Sequence, residues 1–237
     1  MAAVLVVKHL AAAKTRLAAS LGTIPGASVA GAGARGPVMP IGEHRELVLA
    51  MLLDTAAAVR AAGLAPIVVV SPDDEVLAAI TAAGAQPLRE RPRSDPSLNH
   101  AYAQGTAWVH AQRPGVRQVL MVQADLPAAR AASIREVLDA ANDLAEALVS
   151  DAGGDGTALL LRHAHVDRPP RFGIGSAAAH RGGGAVELDP GHARWPDLRT
   201  DVDTAADLDA AIALGVGPHT RRALGLGGVP DSPAEHP

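Results

Sequence analysis

Short apolar runs alternate with longer stretches of helical spacing along most of this chain, and that alternation carries the first prediction. Val4 to Val7 is an apolar run near the N-terminus and reads as a strand. Residues 20–42, rich in Gly, Ala and Pro without helical spacing, read as a flexible loop. Glu43 to Ala62 then predicts a helix with Leu47, Met51 and Leu52 on one face. Ile67 to Val70 reads as a second buried strand. Ser71-Pro72-Asp73-Asp74 after it supplies a capping residue, a first-turn Pro and an acid for a helix from about Asp73 to Ala83, closed by Gly84. Gln86 to Leu88 is a weak strand, Leu98 to Gln112 a helix, Val119 to Asp125 an apolar strand ending in an acid, and Ala131 to Leu144 a helix. Strands and helices in this order, with short links, predict an α/β fold with a mixed, mostly parallel sheet flanked by helices. Beyond it, Ala147–Ser150, Thr157–Leu161 and Val186–Leu188 read as short strands among Gly-rich loops. Thr204–Leu214 reads as a closing helix and 225–237 as a disordered tail.

Bulk properties narrow this picture. A chain of 237 residues fits one domain, here expected over 1–224, with a core of Ala, Val, Leu and Ile because aromatics are only 2%. A formal charge of −4 gives no broad basic field, so nucleic acid is not an expected partner. The absence of Cys removes thiolate metal sites, disulfides and a cysteine nucleophile. No membrane-length apolar run or secretory leader is visible, so a cytoplasmic protein without membrane contact is expected.

The candidate chemistry lies at the ends of the apolar runs. Val119–Val122 leads into Gln123-Ala124-Asp125-Leu126-Pro127, which delivers Asp125 to the carboxyl edge of a parallel sheet. Far away in the chain, Asp201 and Asp203 stand two apart, a spacing that points both to one side of an extended segment. Three carboxylates gathered on one edge repel each other unless a cation lies between them, and hard oxygen ligands suit Mg2+. Helix capping is the competing explanation for Asp201 and Asp203. Lys8, Lys14 and Arg16 follow the first strand, where a nucleoside triphosphate would meet them, although a solvated basic helix face fits as well. No Walker loop and no dinucleotide glycine fingerprint is present. The Gly-rich stretch Asp151–Thr157 could cradle an anion, with Thr157 adding a donor. Arg171-Phe172-Gly173-Ile174-Gly175-Ser176 could open a short helix toward His180-Arg181. Asn99 opens a helix and could read a base or a ribose, or simply cap the helix.

Taken in order, these pieces resemble the phosphoenolpyruvate/2-phospho-L-lactate guanylyltransferase family of coenzyme F-420 biosynthesis. The matching strings are Val-Lys-x-Leu-x-x-Ala-Lys-Thr-Arg-Leu at 7–17, Ala-Met-Leu-x-Asp-Thr at 50–55, Leu-Asn at 98–99 and Gln-x-Asp-Leu-Pro-Ala at 123–128. They continue with Gly-Thr-Ala at 156–158, Arg-Phe-Gly-x-x-Ser-x-x-x-His at 171–180, Gly-Ala-Val-Glu-Leu at 184–188 and Asp-Val-Asp-Thr-x-x-Asp-Leu at 201–208. The resemblance implies a single-domain nucleotidyltransferase fold of the GT-A/Rossmann-like kind. It implies transfer of GMP from GTP to phosphoenolpyruvate, or to 2-phospho-L-lactate or 3-phospho-D-glycerate, and handover of the product to the next enzyme of that pathway. It also implies that Asp125, Asp201 and Asp203 hold Mg2+, that Thr157, Gly173 and Ser176 hold the acceptor, and that Lys14 and Arg16 meet the triphosphate. Lys8 and Asn99 are expected as further substrate contacts from their own positions after the first strand and at a helix start. The loop departs from the family's Asp-Arg-x-Gly-Thr-Gly-Thr pattern at Ala152 and Asp155, a change expected to weaken anion binding and one that keeps a catalytically silent binding module in view.

Overall fold

A computed structural model describes residues 1–10, 17, 41–94 and 97–226, without the side chains of 41–43. Lys14, Arg16, residues 20–40 of the expected loop and the tail beyond 226 lie outside the described residues. The elements are β1 (Ala2–Val6), α1 (Ile41–Ala61), β2 (Ile67–Ser71), α2 (Asp74–Ala82), β3 (Gln86–Arg89), α3 (Leu98–Gln112), β4 (Gln118–Val122) and α4 (Ala131–Ala140). They are followed by β5 (Glu146–Ser150), β6 (Thr157–His163), α5 (Ser176–Gly182), β7 (Val186–Glu187), α6 (Pro196–Arg199), α7 (Ala205–Leu214) and α8 (Pro218–Ala223). Residues 41 and 42, read from sequence as loop, already belong to α1.

Among the described residues, seven strands form one sheet in the order β3-β2-β1-β4-β6-β5-β7. β1 pairs in parallel with both β2 and β4, and β3 with β2, whereas β6 runs antiparallel to its neighbours β4 and β5. Every residue of β1, β2, β4 and β5 is buried, as a sheet covered on both faces requires. Alternation along each strand divides the core. Leu5, Val69 and Val122 face α1 and α4 through Leu47, Met51, Leu52 and Ile134, while Val4, Val70 and Met121 face α3 through Tyr102 and Val109. The edge strand β3 contains Pro87, tolerated there because no further strand needs its missing N–H.

α4 stops at Ala140, short of the predicted Leu144, where Asn142 and Asp143 form a turn that returns Leu144 N–H to Ala141. α3 spans the predicted range, but its cap is Ser97, whose side chain accepts the His100 N–H, and not Asn99. α3 also lies unusually close to the sheet: a Cβ on Gly105 would sit 2.5 Å from a Val4 methyl and 3.0 Å from one of Val70. Ala favours helix over Gly by about 1 kcal/mol, but the overlap with two core valines is larger. Gly105→Ala is therefore expected to destabilise the protein by about 1–2 kcal/mol in urea unfolding; a stability gain would show that α3 can retreat freely.

Candidate active site

The carboxyl ends of β1 and β4 and the start of the antiparallel β6 meet at one rim of the sheet, over a cleft of about 460 Å3. Asp125 stands three residues beyond β4, and α1 fixes its turn from behind. The buried Thr55 hydroxyl donates to Met51 O and accepts the Leu126 N–H at 3.2 Å. Next to it, the buried Asp54 carboxylate accepts the His219 and Thr220 amides at the start of α8. The distant acidic segment is tied directly to this turn, because Val202 donates its N–H to Asp125 O at 3.1 Å. One oxygen from each of Asp125, Asp201 and Asp203 then lies within 4.8 Å of the others.

The N-cap of α7 is neither Asp201 nor Asp203. It is Thr204, in a reciprocal box with Asp207, and Asp207 also accepts the Asp203 N–H. The backbone of this segment is further held by Arg199, only 2% exposed, whose guanidinium donates to Ser150 O and Oγ and to Asp189 O, while its own carbonyl accepts the Ala152 N–H. Arg199 escapes a reading of the sequence, since nothing marks an arginine two residues before an Asp pair as buried. Thr55 and His180 escape it as well, although both fall inside the matched strings.

The opposite wall is built by Thr157, at the start of β6, and the 172–176 turn. Buried His180 accepts the Arg171 N–H at Nε2, so its proton must reside on Nδ1, 3.0 Å from Thr157 Oγ1. Thr157 thus accepts from His180 and keeps its own hydroxyl proton to donate. Burial holds the imidazole neutral by lowering its pKa from 6.5 to about 4, the nearby Arg162, Arg171 and Arg168 charges acting in the same sense and Glu146 against it. Ser176 is 1% exposed, and its hydroxyl lines the cleft without a hydrogen-bond partner. Gly173 and Gly175 take φ of +129° and +69°, values that residues with a side chain rarely adopt. Asn99 braces the turn: its Nδ2 donates to Phe172 O and its Oδ1 accepts the Phe172 N–H, which leaves one further hydrogen on Nδ2. Phe172 in turn stacks on Tyr102 at 4.3 Å between centroids. The Tyr102 hydroxyl, raised well above its ordinary pKa by burial and then by the Asp125 charge, donates to Val122 O. Lys8 is turned toward the end of β3, two strands away, with Nζ 2.5 Å from Glu90.

The His180 geometry gives a pH dependence with a definite sign. In the unfolded chain the ring protonates near 6.5 and in the native protein only near 4, so below pH 6.5 the unfolded state binds more protons. Its contribution is complete above pH 6.5 and is lost as the pH falls to 4, roughly 3 kcal/mol in all. Urea unfolding across that range should show a slope that His180→Gln reduces; the same slope in the variant would exclude this ring as its source.

Comparison with known proteins agrees with the sheet. Residues 23–180 match the family model described as guanylyl transferase CofC like. Phosphoenolpyruvate guanylyltransferase from Mycolicibacterium gilvum is 39% identical over 225 residues, 93% of this chain and 93% of the relative. The protein of the same name from Nocardia farcinica is 45% identical over 186 residues, 77% of this chain and 80% of the relative. The fold is that of a nucleotidyl transferase from Methanothermobacter thermautotroptrophicus (TM-score 0.60, 20% identity, covering 90% of this chain and 97% of that one). It is also shared with 4-diphosphocytidyl-2C-methyl-D-erythritol synthase from Anaerococcus prevotii (TM-score 0.51, 11% identity, covering 90% and 95%). With an α/β nucleotidyltransferase fold, a matching family model and relatives that align over most of its length, this chain belongs to the CofC-like guanylyl transferase family.

Proposed function

We propose that the protein transfers GMP from GTP to phosphoenolpyruvate, giving enolpyruvoyl-2-diphospho-5'-guanosine and pyrophosphate, as a cytoplasmic, single-domain, Mg2+-dependent step toward coenzyme F-420. The observation that carries the reading is the convergence of Asp125, Asp201 and Asp203 opposite the hydroxyls of Thr157 and Ser176. The donor set suits a hard divalent ion: three carboxylates and no nitrogen or sulfur ligand. Bound there, the ion would supply charge neutralisation and a common anchor for two anionic reactants.

The chain's own residues do the rest. Thr157, with its proton free to donate, and Ser176, with a buried hydroxyl awaiting a partner, suit the phosphate or carboxylate of a small acid. Gly173 lets the backbone approach the same group closely. Lys8, Lys14 and Arg16, in the segment that follows the carboxyl end of β1, are assigned to the triphosphate. A phosphate oxygen of the acid attacks the α-phosphorus of GTP, the new O–P bond forms as the α–β anhydride bond breaks, and pyrophosphate leaves. No general base is needed, since the attacking phosphate is already ionised near pH 7.

Incubation with GTP, Mg2+ and each of phosphoenolpyruvate, 2-phospho-L-lactate and 3-phospho-D-glycerate, followed by mass spectrometry, tests this reading. The guanylylated enolpyruvate and stoichiometric pyrophosphate are expected. Nucleotide binding without pyrophosphate release from any acid would mark a silent binding module.

A further inference from the structure

Five carboxylates line the cleft, Asp125, Asp151, Asp155, Asp201 and Asp203, and no Lys or Arg does so among its described lining residues. Asp125, Asp201 and Asp203 form the acidic group already described. Asp151 uses its two oxygens on the amides of Asp155 and Gly156, which shapes the loop. Asp155 is placed differently. Its backbone is pinned on one side by Asp151 and on the other by the Ala177 N–H, which its carbonyl accepts. Its exposed side chain reaches across the cleft wall, where Oδ2 accepts the Gly175 N–H at 2.9 Å. Gly175 lies between Gly173 and Ser176, the positions assigned above to the acceptor, and the Ser176 hydroxyl beside it is buried and unsatisfied.

A wall that offers hydrogen-bond donors to an anion thus already holds an anion of its own. We propose that Asp155 is an affinity-limiting residue on the acceptor side: its carboxylate occupies the Gly175 amide and opposes the acceptor's anionic groups. A phosphorylated acid must displace that carboxylate or bind beside it, so acceptor affinity is held low while the transfer step is untouched. Asp155 reaches no reacting atom, and its influence falls on KM, not on kcat. The proposal rests on the assignment of this wall to the acceptor.

The two roles of the side chain, charge and tether, separate by substitution in the full-length protein. Asp155→Asn keeps an oxygen for the Gly175 N–H and removes the charge; Asp155→Ala removes both. Calorimetric titration of phosphoenolpyruvate at fixed Mg2+ should give a Kd about tenfold lower for Asp155→Asn than for the wild type. In the pyrophosphate-release assay KM for the acid should fall by the same factor, with kcat and KM for GTP unchanged. Asp155→Ala should also bind more tightly. An unchanged or raised Kd in Asp155→Asn overturns the proposal, as does a loss of kcat, which would make Asp155 part of the machinery itself. A raised Kd in Asp155→Ala alone would reduce Asp155 to a structural tether and also overturn it. A wild type that binds phosphoenolpyruvate but releases no pyrophosphate refutes the transferase reading and leaves the titration to decide this one; absence of binding in both proteins together with no pyrophosphate release refutes both.

Discussion

Asp203→Asn is expected to lower turnover by roughly a thousandfold, about 4 kcal/mol of barrier, while the variant unfolds at the same urea concentration as the wild type. The loss follows from the acidic group. Asp125, Asp201 and Asp203 approach within 4.8 Å, and taking one negative oxygen from three weakens the hold on a divalent ion. The fold survives because Asn keeps the shape and one oxygen of the side chain, the Asp207 carboxylate still accepts the N–H of position 203, and Thr204 still caps α7. Pyrophosphate release at saturating Mg2+ checks the first half and denaturation the second. A rate close to wild type would falsify the assignment of Asp203 to the metal.

Glu146→Ala is expected to remove about 3–5 kcal/mol of stability. Glu146 is 2% exposed and lies directly across from Arg162 in the β5–β6 pairing, with Oε1 2.7 Å from Nε and 2.5 Å from Nη2 of that side chain. Its other oxygen accepts from Arg168. Truncation leaves the 6% exposed guanidinium of Arg162 inside the protein without its counter-charge. Arg162 is near the end of β6 and Thr157 at its start, so the cleft lies at the opposite rim. Turnover per folded molecule should therefore stay near wild type at low temperature. A urea midpoint shift worth less than about 1 kcal/mol would mean that water enters and solvates Arg162.

The parallel half of the sheet is legible in the sequence because its strands are buried on both faces and read as unbroken apolar runs, as at Ile67–Val70 and at Val119–Val122. The rim acids are legible for the same reason: each stands just beyond an apolar run or in a period-two pair. Direction is harder to read. Nothing in Thr157–His163 tells that β6 runs against β4, since its side chains alternate between two buried faces whichever way the strand points. The short helices α6 and α8 escape because four and six residues are too few to set up a period. Supporting residues are the hardest of all. Thr55, His180 and Arg199 act through partners 71, 23 and 49 residues away in the chain, and no local pattern announces such a bond. Asn99 is legible as a polar group at a helix start, but its partners, the two backbone groups of Phe172, come from 73 residues away.

The strand order has a consequence for how such a catalyst can diversify. β4 is a seam, with β1–β3 on one side of it and β5–β7 on the other, and each side is nearly continuous in sequence. A hybrid joined within β4 would take β1–β3 from one parent and β5–β7 from another. It would have to match the β1–β4 pairing, the contacts of α1 with α4 and α8, and those of Asn99 and Tyr102 with Phe172 across the junction. Natural drift meets the same limit: each side can vary freely only where it stays clear of these junction contacts.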